Sequence, residues 1–117
     1  MGVSGNVAII GTGLTKFGEN FREGYLDMVI DAGYEAIGEA GIEKSDVEAA
    51  WLGTYMPYAW NIEGVAGSSL ADAMNLFPIP VTRVSNYCCT GMEAVRGAAL
   101  AVAAGEYETV LAVGVEK

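Results

Sequence analysis

The sequence contains no histidine. That absence removes the commonest general base and the commonest zinc ligand, so a Cys–His or Ser–His pair cannot be completed from these residues, and no metal site is expected. Basic residues are also few. Lys16, Arg22, Lys44, Arg83, Arg96 and Lys117 stand scattered among 15 acids, for a net charge of −9. Nucleic-acid binding needs a basic face to neutralise phosphates, and nothing here clusters into one, so no nucleic-acid partner is expected. Proline is low at 3, and the only cysteines, Cys88 and Cys89, are neighbours. Adjacent cysteines do not build a disulfide framework, which makes a reducing cytoplasm the expected setting. The opening MGVSGNVAII lacks the charged and apolar regions of an export leader, and Asn6 stands where the myristoylation pattern needs Ser or Thr. The longest near-apolar run, GAALAVAAG from Gly97 to Gly105, is too short to span a bilayer, so no membrane partner is expected.

What is present suits a packed α/β chain. The 117 residues make one domain or part of one, 52% of them are hydrophobic, and 16 are glycine. NVAIIGTG reads as a buried strand at Val7–Ile10, stopped by Gly11 and Gly13. After a loop, Tyr25–Ala40 reads as a helix: Leu26, Val29, Ile30, Gly33, Tyr34 and Ile37 repeat on one face, and Gly41 stands where a C-terminus favours positive φ. A helical turn near Ser45–Val47, a strand at Ala49–Thr54 and a loop, PYAWNIEGVAG, follow. SSLADAMNL is a short helix with Ser68 or Ser69 as N-cap. Val81–Asn86 is a third strand, Gly91–Ala104 a third helix ended by Gly105, and Thr109–Val115 a fourth strand, apolar on both faces. The order β-α-β-α-β-α-β predicts a parallel sheet with crossover helices.

Two patterns invite functional readings. GTGLTKFG follows the first strand, but the dinucleotide fingerprint needs a third glycine where Lys16 stands, and Gly18 comes two residues late. A strand-ending turn with a loop is the expected reading. Glu23, Asp27, Asp31, Glu35, Glu39 and Glu43 recur every four residues. Such like-charge neighbours cost about 0.2–0.5 kcal/mol each. A solvated outer face is expected, with docking of a basic partner as the alternative.

NYCCTG lies where the third strand hands over to the third helix, with Cys88 at or just before the helix N-terminus. The first N–H groups of a helix are unpaired and carry the positive end of its dipole. A thiolate placed there is stabilised, and the same N–H groups can hold an oxyanion formed when it attacks a carbonyl. Gly91 keeps that space open, and the Ala-rich helix behind, interrupted by Glu93 and Arg96 at pairing distance, reads as buried all round. Small buried cysteines are the alternative. From the residue chemistry alone, both readings stand.

The stretch VSNYCCTGMEAVRGAALAVAAGEYETVLAVGVEK, Val84–Lys117, resembles the nucleophile region of thiolases: Val-Asn-x-x-Cys-x-(Ser/Thr)-Gly, an Ala-rich helix, and a strand ending Gly-x-Glu-Lys. VAIIGTGLTKFG is similar to the first strand in the sterol carrier protein-type and archaeal acetyl-CoA acetyltransferase-like branch of that family. Ser85 departs from the usual Asn. The resemblance implies a layered αβαβα fold of two similar halves. Residues 1–117 would be the first β-α-β-α-β-α-β part of the N-terminal half, a piece of a longer chain. It implies that Cys88 is the nucleophile that carries the acyl group as a thioester, with its own backbone N–H as an oxyanion donor, while Cys89 takes the variable position as a packing residue. The implied reaction is acyl transfer from a 3-ketoacyl-CoA to Cys88 and thiolysis by CoA, or the reverse Claisen condensation. The acid/base cysteine and histidines would come from later in the fold. Coenzyme A enters as substrate, with no cofactor bound tightly. A homodimer and a small partner subunit with an OB-fold and zinc ribbon are also implied. The alternatives are a retro-aldolase of the same fold acting on CoA esters, and a non-catalytic subunit.

Overall fold

The structure, a computed structural model, describes residues 2–59 and 66–117. The longest element, α1 (Tyr25–Ala40), has the boundaries its periodicity predicts. Asp27 accepts the Gly24 N–H at 2.7 Å and closes the N-terminus. Gly41 closes the C-terminus with φ 67°, a left-handed conformation that costs glycine little. A 3₁₀ turn at Lys44–Asp46 leads into β1 (Ala49–Gly53). A second 3₁₀ turn, Pro57–Ala59, follows; the rest of the PYAWNIEGVAG loop through residue 65 lies outside the described residues. Then come α2 (Gly67–Met74), β2 (Val81–Val84), α3 (Thr90–Ala103) and β3 (Val110–Gly114). The N-cap of α2 is Ala66 rather than Ser68 or Ser69. Ser69 instead reaches back from the first turn to accept the Ala66 N–H at 3.2 Å.

The strands pair in parallel in the order β2-β1-β3, with Ala50 opposite both Val81 and Leu111. β1 is central and almost wholly buried. Its alternation divides the core. Ala50 and Leu52 join Val29, Ile37, Leu70 and Met74 in the main cluster beneath α1 and α2, while Trp51 and Gly53 meet α3 on the opposite face. The layers are therefore α/β/α. Leu52, Leu70 and Met74 are fully buried, and removing each from water contributes about 1.5–3 kcal/mol. The Tyr34 hydroxyl, donating to the Met74 carbonyl at 3.0 Å, ties α1 to the end of α2.

The first predicted strand does not form. Val7–Ile10 pairs with no strand among the described residues, and Ile9 and Ile10 are exposed. A groove of about 540 Å³ separates this arm from the free edge of β3. Its polar anchors come from α1 instead. Thr12 donates its amide and hydroxyl to the Glu39 carboxylate, and the Leu14 amide donates to Glu35 at 2.8 Å. Gly11 and Gly13 let the backbone lie against the helix, because a Cβ at either place would strike the carbonyl of Ala36 or Ala32. The glycine-rich run thus forms a close backbone contact on α1 in addition to ending an extended segment. The acidic stripe is likewise only partly a solvated face: Glu35 and Glu39 hold the arm.

The two hydrogen bonds from Thr12, hydroxyl and then amide, keep the Glu39 carboxyl below its ordinary value of 4.5. A group lowered by folding contributes stability above its unfolded pKa and loses it as pH falls through the folded one. Glu39→Gln is therefore expected to lower Tm near neutral pH, with the difference between the two proteins narrowing as pH falls through the depressed Glu39 pKa. Parallel thermal melts of the two proteins across that range check this.

Candidate active site

The turn between β2 and α3 is held by its own side chains. Thr90 is buried, its hydroxyl donates to the Tyr87 carbonyl at 2.7 Å, and its oxygen accepts the Asn86 N–H at 2.7 Å. The Cys89 and Thr90 amides close back on the Asn86 and Tyr87 carbonyls at 3.0 and 3.2 Å. Tyr87 takes φ 47°, the left-handed region that an L residue enters only when its surroundings require it. Cys88 follows directly, exposed, at the C-terminal end of a parallel strand.

The helix begins at Thr90, one residue earlier than its periodicity predicts, and Cys89 is its N-cap. No side chain caps it. The Gly91 and Met92 amides meet no acceptor among the described residues, and a Cβ on Gly91 would find nothing within 4 Å. Space and free N–H groups thus adjoin Cys88. Cys89, which the resemblance makes a packing residue, is exposed too among the described residues.

The helix itself is buried on one face only. Thr90, Ala94 and Ala98 meet the sheet, while Met92, Val95 and Leu100 are 67%, 51% and 46% exposed. Among the described residues one sheet lies beside α3, so its other face is open where burial all round is expected, and small apolar residues pattern alike on both sides. Close approach to that sheet is set by glycine. A Cβ at Gly97 would come within 2.6 Å of the Trp51 indole nitrogen, and one at Gly53 within 3.0 Å of the Thr90 carbonyl. Glu93 and Arg96 pair on the exposed side at 3.2 Å, as their spacing predicts.

Sequence reasoning missed a second set of residues beneath the turn. Glu116, just past β3, accepts the amides of Tyr55 and Met56 at 2.7 and 3.1 Å and faces the Thr54 hydroxyl at 3.4 Å. Arg83, within β2, donates to the Thr54 and Tyr55 carbonyls at 2.9 and 3.3 Å, and Ser85 donates to the latter at 3.3 Å. The Tyr55 ring lies against Tyr87, centroids 4.8 Å apart. The hydroxyl of buried Tyr25 sits beside Thr54 without a well-formed hydrogen bond, and burial raises its pKa. The one available signal was Glu116 in the Gly-Val-Glu-Lys ending; nothing local marked Arg83. Among the described residues no group of three acids or cysteines could hold a metal, and no helix is long and apolar enough to cross a membrane.

The sequence profile described as "Thiolase, N-terminal domain" matches residues 7–117. The chain is 40% identical over 112 residues to the acetyl-CoA acetyltransferase of Methanothermobacter thermautotrophicus, covering 96% of this chain and 29% of that protein. To sterol carrier protein 2 of Rattus norvegicus it is 35% identical over 115 residues, or 95% of this chain and 20% of that one. It thus spans less than a third of these relatives' length. Among solved structures, the Ltp2-ChsH2(DUF35) aldolase superposes with a TM-score of 0.69 at 28% identity, over 86% of this chain and 25% of that one. The 3-oxoacyl-(acyl-carrier-protein) synthase III of Aquifex aeolicus VF5 does so with a TM-score of 0.68 at 17% identity, over 84% and 41%, a likeness of fold alone.

Proposed function

This chain belongs to the thiolase family, within its N-terminal domain, and from that premise we propose that Cys88 is the acyl acceptor of a thiolase-type acyltransferase. The observation that carries the reading is the placement of Cys88: exposed on a tight turn, one residue before an uncapped helix, beside the free Gly91 and Met92 amides. The names of the archaeal relatives support the same reading.

In the thiolytic direction the Cys88 thiolate attacks the ketone carbon of a 3-ketoacyl-CoA. The oxyanion that forms is held by backbone N–H groups, that of Cys88 among them, aided by the positive end of α3. Collapse breaks the bond between the second and third acyl carbons, and the departing acetyl-CoA carbanion takes up a proton. The thiol of free CoA then loses its proton, attacks the thioester and releases Cys88. Condensation is the same path reversed. The groups that move those protons belong to the rest of the whole protein, since these residues include no histidine. CoA acts as a substrate rather than a resident cofactor. A cytoplasmic homodimer is the setting we propose.

A retro-aldolase of the same fold is the second reading, favoured by the likeness to the Ltp2-ChsH2(DUF35) aldolase. That protein is named for two components, which supports a partner subunit here; a small OB-fold and zinc-ribbon protein is the one we propose. Iodoacetamide trapping of the whole protein at neutral pH, followed by peptide mapping, tests the nucleophile. Cys88 is expected to label at least about tenfold faster than Cys89. Equal rates would remove the assignment. Intact mass after incubation with acyl-CoA separates the two readings, because only the acyltransferase retains an acyl group on Cys88.

A further inference from the structure

We propose that Glu116 and Arg83 are positioning residues for Cys88, gripping the Tyr55 peptide from both sides so that its ring fixes the residue before the nucleophile. The inference rests on Cys88 being the acyl acceptor. The three participating segments leave the C-terminal ends of three adjacent strands: the Thr54–Met56 loop follows β1, Arg83 lies in β2 with Ser85 just beyond it, and Glu116 follows β3. The carboxylate takes the donors of the loop, the Tyr55 and Met56 amides. The guanidinium takes its acceptors, the Thr54 and Tyr55 carbonyls.

Neither charge is spent on the other, since the only ion pair among the described residues is Glu93–Arg96. Charge-assisted hydrogen bonds to backbone are stronger than neutral ones and more exact in direction. The two ends differ in shielding: Thr54 is fully buried, and the Arg83 Nε and Tyr25 hydroxyl are buried without partners among the described residues, whereas Glu116 grips the loop from the exposed side. The grip reaches the nucleophile through one contact. Tyr55 packs on Tyr87 at a 34° tilt, and Tyr87 holds its left-handed backbone while its carbonyl accepts both the hydroxyl and the amide of Thr90. Desolvation, then the neighbouring Tyr87, raise the Tyr55 phenol above its ordinary value.

The test uses the whole protein and three variants, with mapped Cys88 alkylation, kcat, KM for the acyl-CoA and Tm as readouts. Glu116→Gln turns one acceptor oxygen into a donor facing a backbone N–H. It is expected to slow Cys88 labelling and kcat by about tenfold, with KM changed less than about twofold, a milder loss than the ~100-fold of a 1 Å displacement. Glu116→Asp keeps both oxygens and is expected to recover most of that loss. Tyr55→Leu leaves both charged residues in place and removes only the ring, so it is expected to slow labelling comparably and serves where Glu116→Gln does not fold. A fall in Tm with unchanged labelling and kcat in Glu116→Gln and Tyr55→Leu would reduce the grip to a structural role and overturn the proposal. If Cys88 in the unaltered protein labels no faster than Cys89, the nucleophile reading itself falls, and the positioning role with it.

Discussion

Cys88→Ala is expected to lower acyl transfer by the whole protein at least about a thousandfold, while Cys89→Ala stays within about threefold. The asymmetry follows from position. Cys88 is exposed on the turn between β2 and α3, just before a helix start with free N–H groups among the described residues, and under the proposed reading its removal deletes the atom that forms the acyl bond. Cys89 is the N-cap of α3 but makes no side-chain capping hydrogen bond, so alanine there loses no cap. Neither cysteine is buried, and both variants are expected to keep Tm within a few degrees, on the order of a 0.5 kcal/mol surface change. Turnover measured with a 3-ketoacyl-CoA and CoA, beside thermal melts, checks both statements. Undiminished turnover in Cys88→Ala would point to a reaction without an acyl-enzyme.

The second large effect is expected at a residue with no reactive atom. Gly53 ends β1 directly beneath the start of α3, where a Cβ would lie 3.0 Å from the Thr90 carbonyl and 3.3 Å from the Ala94 Cβ. The first neighbour is backbone and cannot rotate away. Gly53→Val must lift the N-terminal turn of α3 off the sheet. Overpacking of that kind costs about 1–3 kcal/mol. The displaced turn includes Thr90, whose hydroxyl and amide close the cysteine loop, so Cys88 moves with it. A shift near 1 Å is expected to cost roughly a hundredfold in turnover. Gly91→Ala is the control for stability. It sits in the same turn with open space around its Cβ, and alanine suits a helix better than glycine, so Tm should hold or rise. Equal melting of Gly53→Val and the unaltered protein would mean that α3 can ride higher without strain.

Elements whose causes are local were legible in the sequence. The limits of α1 follow from a four-turn apolar stripe and from Gly41, whose left-handed cap is a property of one residue. The alternation of apolar runs with helical ones was enough to place three parallel strands and the cysteine turn between β2 and α3. Val7–Ile10 shows the limit: an apolar run is compatible with a strand, but a strand exists only if a neighbour takes its hydrogen bonds. The partners of its continuation are Glu35 and Glu39, which in sequence belong to a charge stripe and give no sign of reaching back. Glu116 and Tyr55 are equally remote, and their hydrogen bond requires β1 and β3 to be neighbours in the sheet. The one-sided burial of α3 was hidden for a different reason. Alanines pack or face water at small cost either way, so the composition of the helix carries little directional information.

The groove between the N-terminal arm and β3 bears on how these residues behave in solution. Two lines of backbone, one on the arm and one on the outer edge of β3, face each other with peptide groups that no strand occupies among the described residues. Unpaired edges are templates for any extended peptide that reaches them, and these are flanked by the apolar side chains of Val95 and Val102 and of Ile9 and Ile10. Residues 1–117 in isolation are therefore expected to associate through that place increasingly as their concentration rises, readable by light scattering, even though a net charge of −9 favours dispersal.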